Sequence, residues 1–224
     1  RQRQMCIRDS AKVAAIRGQQ AGVGDAQRRD AVEDCQLHIE LAQQFSQPST
    51  PRIWITHGAS GSGKTLGCET VIKHHGAIRL RSDVERKRQH HLQLTQRPRD
   101  SQQRAELYSH RAQEETYTCL LELAEQVVRD GFSVVVDATF LRRRQRRRFR
   151  QLASSMGVPF TILDFDVDRS TLRQRVTDRL ARGTDASDAD LSVLEWQLAT
   201  RQPLTPEETR YVEHLAEGET AAEF

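Results

Sequence analysis

The sequence has few cysteines, few aromatic residues and no long hydrophobic run. No apolar stretch approaches the ~18 residues that a membrane-spanning helix needs, so the residues shown do not predict an integral membrane protein. The four cysteines are widely spaced and form no C-x-x-C pair, which argues against a disulfide scaffold or a zinc knuckle. Such cysteine usage is typical of a reducing compartment, and we expect a cytoplasmic protein.

Lysine is also scarce, because arginine supplies all but four of the 34 basic residues. The net charge of +3 does not by itself indicate a nucleic-acid-binding protein. Hydrophobic residues make up 37% of the 224 residues, which is enough for one globular domain with appendages or two small domains.

The N-terminal quarter of the chain is predicted to be helical and separate from the remaining residues. Residues 1–10 include Met-Cys-Ile-Arg-Asp-Ser, which back-translates to a sequence resembling a transposon end used in sequencing libraries. We therefore interpret residues 1–10 as a read-through artefact, with an ordinary N-terminus as the alternative. Residues 11–46 have a helical apolar pattern, and residues 47–51 contain two prolines typical of a linker.

A phosphate-binding loop is the strongest motif in the chain. A short strand pattern at residues 52–56 leads into a complete G-x-x-x-x-G-K-[ST] match, and residues 66–73 continue as a predicted helix. A chance glycine-rich turn is the alternative, but strand, loop and helix all agree. The loop that we predict to bind ATP consists of Gly58, Ala59, Ser60, Gly61, Ser62, Gly63, Lys64 and Thr65.

The residue types in this loop match what a bound triphosphate requires. Glycines let backbone N–H groups approach phosphate oxygens closely, and a helix N-terminus adds positive potential. Lys64, expected to be an exposed cation with a catalytic role, reaches the β- and γ-phosphates, and Thr65 places a hydroxyl on Mg²⁺. ATP and Mg²⁺ are therefore the predicted cofactors.

Asp83 and Arg86 are candidate acceptor-site residues. They follow a predicted strand at residues 77–80, and the carboxyl ends of parallel strands form the ligand crevice of an open α/β sheet. Asp83 is a candidate catalytic base for an attacking hydroxyl, and Arg86, one helical turn later, would bind an anionic substrate. The alternative is that Asp83 only caps the following helix.

A buried strand pattern at residues 132–137 ends in Asp137, as in a Walker B motif. Asp137 would orient Mg²⁺ through water or organise the acceptor pocket, and Thr139 would hydrogen-bond a substrate. Ala138 stands where ATP-driven motors generally carry glutamate, which argues against a hydrolytic motor. The alternative is that Asp137 only caps the next helix.

Two arginines near a flexible segment are candidate lid residues. A predicted helix at residues 170–182 places Arg179, assigned to ATP binding, and the catalytic candidate Arg182 just before a glycine. The alternative is a solvated basic helix face. Ser187 or Asp188 is predicted to cap the last helix.

Residues 142–150 contain an arginine run, with seven arginines in nine positions. As a helix this run would present positive charge nearly all round, with Phe149 anchored in the core. One interpretation is contact with nucleic-acid phosphates, and the favoured one is a solvated helix partly neutralised by acidic helices. Residues 204–224 are predicted to be an acidic tail that frays after Leu215.

These elements predict an α/β fold, a three-layer P-loop NTPase domain at residues 52–203 with a parallel sheet, preceded by the helical segment. A family resemblance rests on Gly61 to Thr65, Leu80 to Val84 with Arg86 and Lys87, Val134 to Leu141, Asp185 to Ala189, and Leu194 and Glu195 with Gln197. In these stretches the sequence resembles the P-loop kinase-like ATP-binding half of bacterial bifunctional proteins whose other half is aminoglycoside-phosphotransferase-like. The resemblance implies that residues 11–46 are a remnant of such an upstream domain.

The chain is also similar to phage polynucleotide kinase and zeta toxins. The Asp-x-x-Arg pattern of the polynucleotide kinase, which supplies a base and an acceptor-phosphate arginine, matches Asp83 and Arg86, and its lid pattern matches residues 182–184. Ala138 departs from the threonine or similar residue that can occur there, so the resemblance leaves the acceptor pocket open. The resemblance implies γ-phosphoryl transfer from ATP to a hydroxyl of a small-molecule or nucleotide acceptor. The alternatives are a polynucleotide 5′-hydroxyl kinase, with nucleic acid not favoured as a partner, and a non-catalytic ATP-sensing module.

Overall fold

The computed structural model describes residues 2–20, 24–46, 50–93, 96, 98–182 and 189–214. The chain divides into two compact units, Arg1–Ser49 and Thr50–Phe224, which are described separately. Within the described ranges, no helix combines the length and the apolar character needed to cross a membrane.

The first unit is a pair of helices, α1 (Gln2–Gln19) and α2 (Asp25–Ser46). Small side chains are buried where the two helices meet, because alanine lets helix backbones approach closely. Larger apolar side chains remain exposed on both helices. The buried residues are Ala11, Ala14 and Ala31, and the exposed ones are Val13, Ile16, Val32, Leu37 and Ile39.

The second unit is built on a five-stranded sheet with strand order β2-β3-β1-β4-β5. All four strand pairings are parallel, and the strand before the phosphate-binding loop lies at the centre. This all-parallel sheet with helices confirms the predicted α/β P-loop fold. The strands are β1 (Ile53–His57), β2 (Ile78–Arg81), β3 (Val134–Asp137), β4 (Phe160–Asp164) and β5 (Val212–His214).

Helices cover both faces of the sheet, because successive side chains of a central strand point to opposite faces. Ile53 and Ile55 join one core cluster with Phe149, whereas Trp54 joins the other with Val71. The helices are α3 (Lys64–His75), α4 (Ser82–Gln89), α5 (Ser101–Leu107), α6 (His110–Arg129), α7 (Arg143–Met156), α8 (Arg169–Arg182) and α9 (Leu191–Thr200).

The N-terminus of α9 differs from the prediction. Its N-cap is Asp190, whose carboxylate accepts a hydrogen bond from the Val193 N–H at 3.0 Å. Partial burial opposes ionisation of Asp190, but hydrogen bonds from Ser192 and Val193 hold its pKa below the usual value. The predicted caps, Ser187 and Asp188, lie outside the described residues, and the helix begins after them.

Part of the segment predicted to be an acidic tail belongs to the fold. After a 3-10 turn (Thr209–Tyr211), β5 pairs with β4 and completes the sheet. The Glu208 carboxylate accepts hydrogen bonds from the Arg146 guanidinium at 2.8 and 2.9 Å. The buried ion pair therefore anchors this segment to α7.

The arginine run is not uniformly exposed. Arg146 is only 1% exposed and also donates to the carbonyl oxygens of Phe140, Gln202 and Pro203. The expectation of positive charge nearly all round α7 is therefore wrong at this position, because a fully hydrogen-bonded guanidinium can be buried. Phe149 is buried in the core, as expected. Arg143, Arg144 and Arg148 lie within 4.0 Å of glutamate carboxylates.

Candidate active site

A cleft of about 450 Å³ lies at the carboxyl ends of the strands. Its wall includes residues from the phosphate-binding loop, the N-terminal turn of α4, α6, the segment after β3, α8 and α9. The loops that follow parallel strands meet at one edge of the sheet, so residues distant in sequence line one cavity. This is where an α/β sheet of this kind binds ligands.

The loop that follows β1 has a backbone that requires glycine. Gly58 has φ of 155°, and a Cβ there would lie 2.5 Å from Ser62 Oγ and 2.8 Å from the Phe165 carbonyl oxygen. Gly63 caps α3 in the left-handed region with φ of 86°. Both glycines belong to the motif: a side chain at Gly58 would clash with its neighbours, and one at Gly63 would be strained by the left-handed backbone.

Lys64 is buried within the loop rather than exposed. Its side chain is only 9% exposed, and Nζ donates to the Ala59 carbonyl oxygen at 2.6 Å and to Ser62 Oγ at 3.3 Å. Burial lowers the pKa of the Lys64 ammonium to about 8, against the opposing effect of Asp137 and Asp83. The expectation of an exposed cation is wrong, because the loop wraps around the ammonium and supplies its acceptors.

The structure brings together Thr65 and Asp137, the two residues that the sequence analysis assigned to Mg²⁺. Thr65 Oγ1 donates to Asp137 Oδ2 at 2.9 Å, although 72 residues separate the two positions. Burial raises the pKa of the Asp137 carboxyl, while Lys64 and the Thr65 hydroxyl favour its ionised form. Asp137 does not cap the following helix, because the N-cap of α7 is Arg142.

The donor set of this pair fits Mg²⁺. One hydroxyl and one carboxylate are hard oxygen ligands, and Mg²⁺ usually takes one or two protein ligands together with phosphate and water. Among the described residues, no group of three or more His, Cys, Asp or Glu side chains forms an all-protein metal site. Thr65 and Asp137 would therefore hold the ion together with the nucleotide.

Asp83 and Arg86 both line the cleft from the first turns of α4. The Asp83 carboxylate lies 3.5 Å from Arg86 NH1 and 3.8 Å from Arg81 NH2. The N-cap of α4 is Arg81, so Asp83 does not occupy the capping position. The Arg86 guanidinium also lies 4.9 Å from the centroid of the Tyr108 ring, a cation–π contact. A carboxylate and two cations thus face one part of the cleft.

Thr139 lines the same cleft and is held by Tyr117 of α6. The Tyr117 hydroxyl lies 3.3 Å from Thr139 Oγ1 and accepts a hydrogen bond from the Phe140 N–H at 3.0 Å. Burial raises the pKa of Tyr117, so its hydroxyl stays protonated at neutral pH. Tyr117 was not identified from the sequence, because a tyrosine in an amphipathic helix resembles an ordinary core residue.

Of the two lid candidates, Arg179 lines the cleft from α8. Its NH2 donates to the Ala189 carbonyl oxygen at 2.9 Å, so α8 and the start of α9 are connected across the residues between them. Arg182 is the last residue of α8, but its side chain and residues 183–188 lie outside the described part of the chain. The role of Arg182 stays a prediction.

Two contacts around the loop were missed in the sequence. His57 Nδ1 lies 2.6 Å from Asp164 Oδ1, and both side chains are buried at paired strand ends directly before and beside the loop. Gln197 Oε1 accepts a hydrogen bond from the Ser60 N–H at 2.9 Å. The first contact could have been anticipated from the polar residues that end β1 and β4. Gln197 was among the residues that carry the family resemblance, but no contact with the loop was predicted for it.

A protein-family model for the AAA domain matches residues 53–204, which is most of the chain. The chain belongs to the AAA domain family. The match begins at β1 and ends after α9, so it contains all the described residues that line the cleft. Comparison with curated proteins found no match.

Solved structures share this fold at low sequence identity. A sugar kinase from Janibacter sp. HTCC2649 is 20% identical with a TM-score of 0.52, covering 75% of this chain and 85% of that chain. A gluconokinase from Sinorhizobium meliloti 1021 is 18% identical with a TM-score of 0.50, covering 74% and 82%. Kti12 from Chaetomium thermophilum, in complex with ADP-AlF3, is 15% identical with a TM-score of 0.57, covering 74% and 89%. The domain thus has a P-loop kinase-like fold.

Proposed function

We propose that this protein binds ATP and Mg²⁺ in the cleft and transfers the γ-phosphoryl group to the hydroxyl of an anionic acceptor. The observation that carries the proposal is the contact of Thr65 Oγ1 with Asp137 Oδ2 at 2.9 Å, in the same cleft as Lys64 and Asp83. This arrangement supports the proposal, because phosphoryl transfer requires phosphate-, metal- and acceptor-binding groups in one cleft, and these residues are the candidates for those roles.

The nucleotide would be held by the loop. Its backbone N–H groups and the N-terminus of α3 would bind the phosphates, and the Lys64 ammonium would leave its contacts with Ala59 and Ser62 to reach the β- and γ-phosphates. Mg²⁺ bound through Thr65 and Asp137 would neutralise charge on the β- and γ-phosphates. Arg179 of α8 is the candidate cation for charge that develops during transfer.

The acceptor would enter beside α4. Asp83 would accept the hydrogen bond of the attacking hydroxyl and take its proton late, because the transition state is loose. The new bond joins the acceptor oxygen to the γ-phosphorus, the bond from that phosphorus to the β–γ bridging oxygen breaks, and ADP leaves. Arg86, with Arg81 beside it, supports an acceptor that carries a phosphate or carboxylate, and Thr139 offers a hydroxyl for orientation.

The alternative functions have less support. A polynucleotide kinase would be favoured by a free arginine surface on α7, but Arg146 is buried and Arg143, Arg144 and Arg148 lie near glutamates. A pure ATP sensor has no need for a carboxylate at the position of Asp83. The upstream aminoglycoside-phosphotransferase-like domain stays a prediction from the resemblance.

The proposal is tested by a turnover assay with γ-labelled ATP and Mg²⁺. Pools of phosphorylated sugars, sugar acids, nucleotides and aminoglycosides, together with nucleic-acid 5′ ends, serve as acceptors. We expect label in an anionic small molecule, and no transfer by Lys64→Met, which removes the ammonium but keeps an apolar stem of similar length. Labelled nucleic-acid ends would favour the polynucleotide kinase instead. Binding of ATP with no transfer to any pool would favour the sensor.

A further inference from the structure

Gln197 reaches the phosphate-binding loop from α9, on the wall of the cleft. Its side chain is 7% exposed, and Oε1 accepts the Ser60 N–H at 2.9 Å. Because a backbone N–H bonds only to an acceptor, this contact fixes which end of the amide faces the loop. The amide nitrogen Nε2 is left over, and across the described residues it has no hydrogen-bond partner.

The amide binds the same peptide unit as the Lys64 ammonium. Lys64 Nζ donates to the carbonyl oxygen of Ala59, the residue directly before Ser60. The carbonyl oxygen and the N–H of one trans peptide point in opposite directions, so the ammonium and the Gln197 amide flank this peptide, and both residues line the cleft. A terminal phosphate that Lys64 reaches after leaving Ala59 would therefore lie against the cleft wall to which Gln197 belongs.

Packing alone does not explain a glutamine at this position. The side of α9 that faces the loop is already held by Leu194, which is buried in a cluster with Ala59, Leu172 and Val176. The amide nitrogen is not enclosed by protein, so a ligand in the cleft can reach it. One end of the amide therefore holds the loop, and the other end offers a hydrogen-bond donor at the wall of the cleft.

We infer that Gln197 is a γ-phosphate ligand: Oε1 holds the loop at Ser60, and Nε2 donates a hydrogen bond to an oxygen of the phosphoryl group that is transferred. The inference rests on the proposed function. It makes α9 a sensor of the third phosphate, so this contact is made with ATP and lost with ADP. Gln197 thereby distinguishes substrate from product nucleotide.

Two substitutions distinguish the role of Oε1 from the role of Nε2. Gln197→Glu keeps an oxygen acceptor for the Ser60 N–H but has no donor when ionised and repels phosphate. Gln197→Met removes both functions at similar volume. Gln151→Glu, on the exposed face of α7, is the control for added charge. Affinities for Mg²⁺-AMP-PNP and Mg²⁺-ADP are measured by calorimetry on the full chain, together with melting temperatures.

We expect Gln197→Glu and Gln197→Met both to weaken AMP-PNP binding by roughly ten- to hundredfold, with less than a threefold change for ADP. Gln151→Glu should change neither affinity. Equal losses for both nucleotides, or AMP-PNP binding by Gln197→Glu at the original affinity, would show that Gln197 only holds the loop and would overturn the inference. Failure of the unsubstituted protein to bind AMP-PNP would overturn the proposed function as well.

Discussion

Arginine has opposite roles in the cleft and in α7. The Arg146 guanidinium makes five hydrogen bonds, two to the Glu208 carboxylate and three to carbonyl oxygens, which uses all its donors. Arg86 in the cleft lies 3.5 Å from its nearest carboxylate, and its Nε has no hydrogen-bond partner in the described residues. One arginine uses all its donors within the fold, and the other has a donor without a protein partner.

The difference shows that local charge alone does not reveal whether a cation serves the fold, because hydrogen-bond saturation varies independently of it. The arginine run is the most basic segment in the sequence, yet its most buried member serves only the fold. In the cleft, Arg81 and Arg86 lie beside the Asp83 carboxylate, where the proposed acceptor would enter. Substitutions in the two regions should therefore have different consequences.

The largest expected effect is on the rate of phosphoryl transfer, and it comes from substitution of Asp83, whose carboxylate lies near Arg81 and Arg86. Asp83→Asn keeps the size of the side chain but removes its charge, so phosphoryl transfer should fall by roughly 10²–10⁴-fold with ATP affinity nearly unchanged. Asp166→Asn, an exposed position, is the matched control. Transfer at the original rate with a lowered melting temperature would make Asp83 a structural residue like Glu208.

The next largest effect should be on stability and should come from α7. Arg146→Gln leaves the buried Glu208 carboxylate without its partner, and breaking such a pair typically costs about 3–5 kcal/mol of unfolding free energy. Arg147→Gln makes the same change at the adjacent exposed position and should cost less than about 0.5 kcal/mol. Urea denaturation of both variants measures the difference, and equal costs would contradict the comparison.

A smaller effect is expected for the cleft arginine itself. Arg86→Ala should raise the KM for an anionic acceptor by roughly ten- to hundredfold, the range for a lost charge-assisted hydrogen bond, with kcat less affected. Arg88→Ala in the same helix is the control, because Arg88 is exposed and pairs with Glu85. Loss of stability without a change in KM would show that Arg86, like Arg146, has a structural role.

The smallest effect is a pH dependence of the ion pair. Burial opposes ionisation of Glu208, but hydrogen bonds from Arg146 and Thr205 lower its pKa below the usual 4.5. Its contribution to stability is therefore complete above pH 4.5 and is lost as the pH falls through the lower folded-state value. Glu208→Gln should show a shallower loss of melting temperature between about pH 5 and pH 3 than Glu207→Gln, an exposed control.

The sequence was most informative where the structure depends on residues that are close together in the sequence. The strand–loop–helix around Lys64 predicted the centre of the fold, and the apolar pattern before Asp137 predicted a buried strand that ends at this carboxylate. Both follow from short patterns whose backbone geometry is fixed locally. The predicted strand at 132–137 was two residues too long at its start, because strand ends depend on where the neighbouring strands stop.

Contacts between distant residues could not be predicted. The Arg146–Glu208 pair joins positions 62 apart, and the Gln197–Ser60 hydrogen bond joins positions 137 apart. In the sequence, each member of these two pairs resembles an ordinary polar residue of the surface. Lys64 was misjudged for a related reason, since its burial depends on how the loop curls around its own ammonium.

The position of β1 at the centre of the sheet has a consequence for synthesis on the ribosome. The β1 side chains find partners 80 to 107 residues further along the chain, in β3 and β4. At ordinary translation rates a nascent chain takes roughly 5–20 s to extend by that distance. During this interval β1 has been synthesised but its neighbours β3 and β4 have not, so the phosphate-binding loop lacks the sheet that supports it. The central pairings of the sheet must therefore form after the second half of the chain has been synthesised.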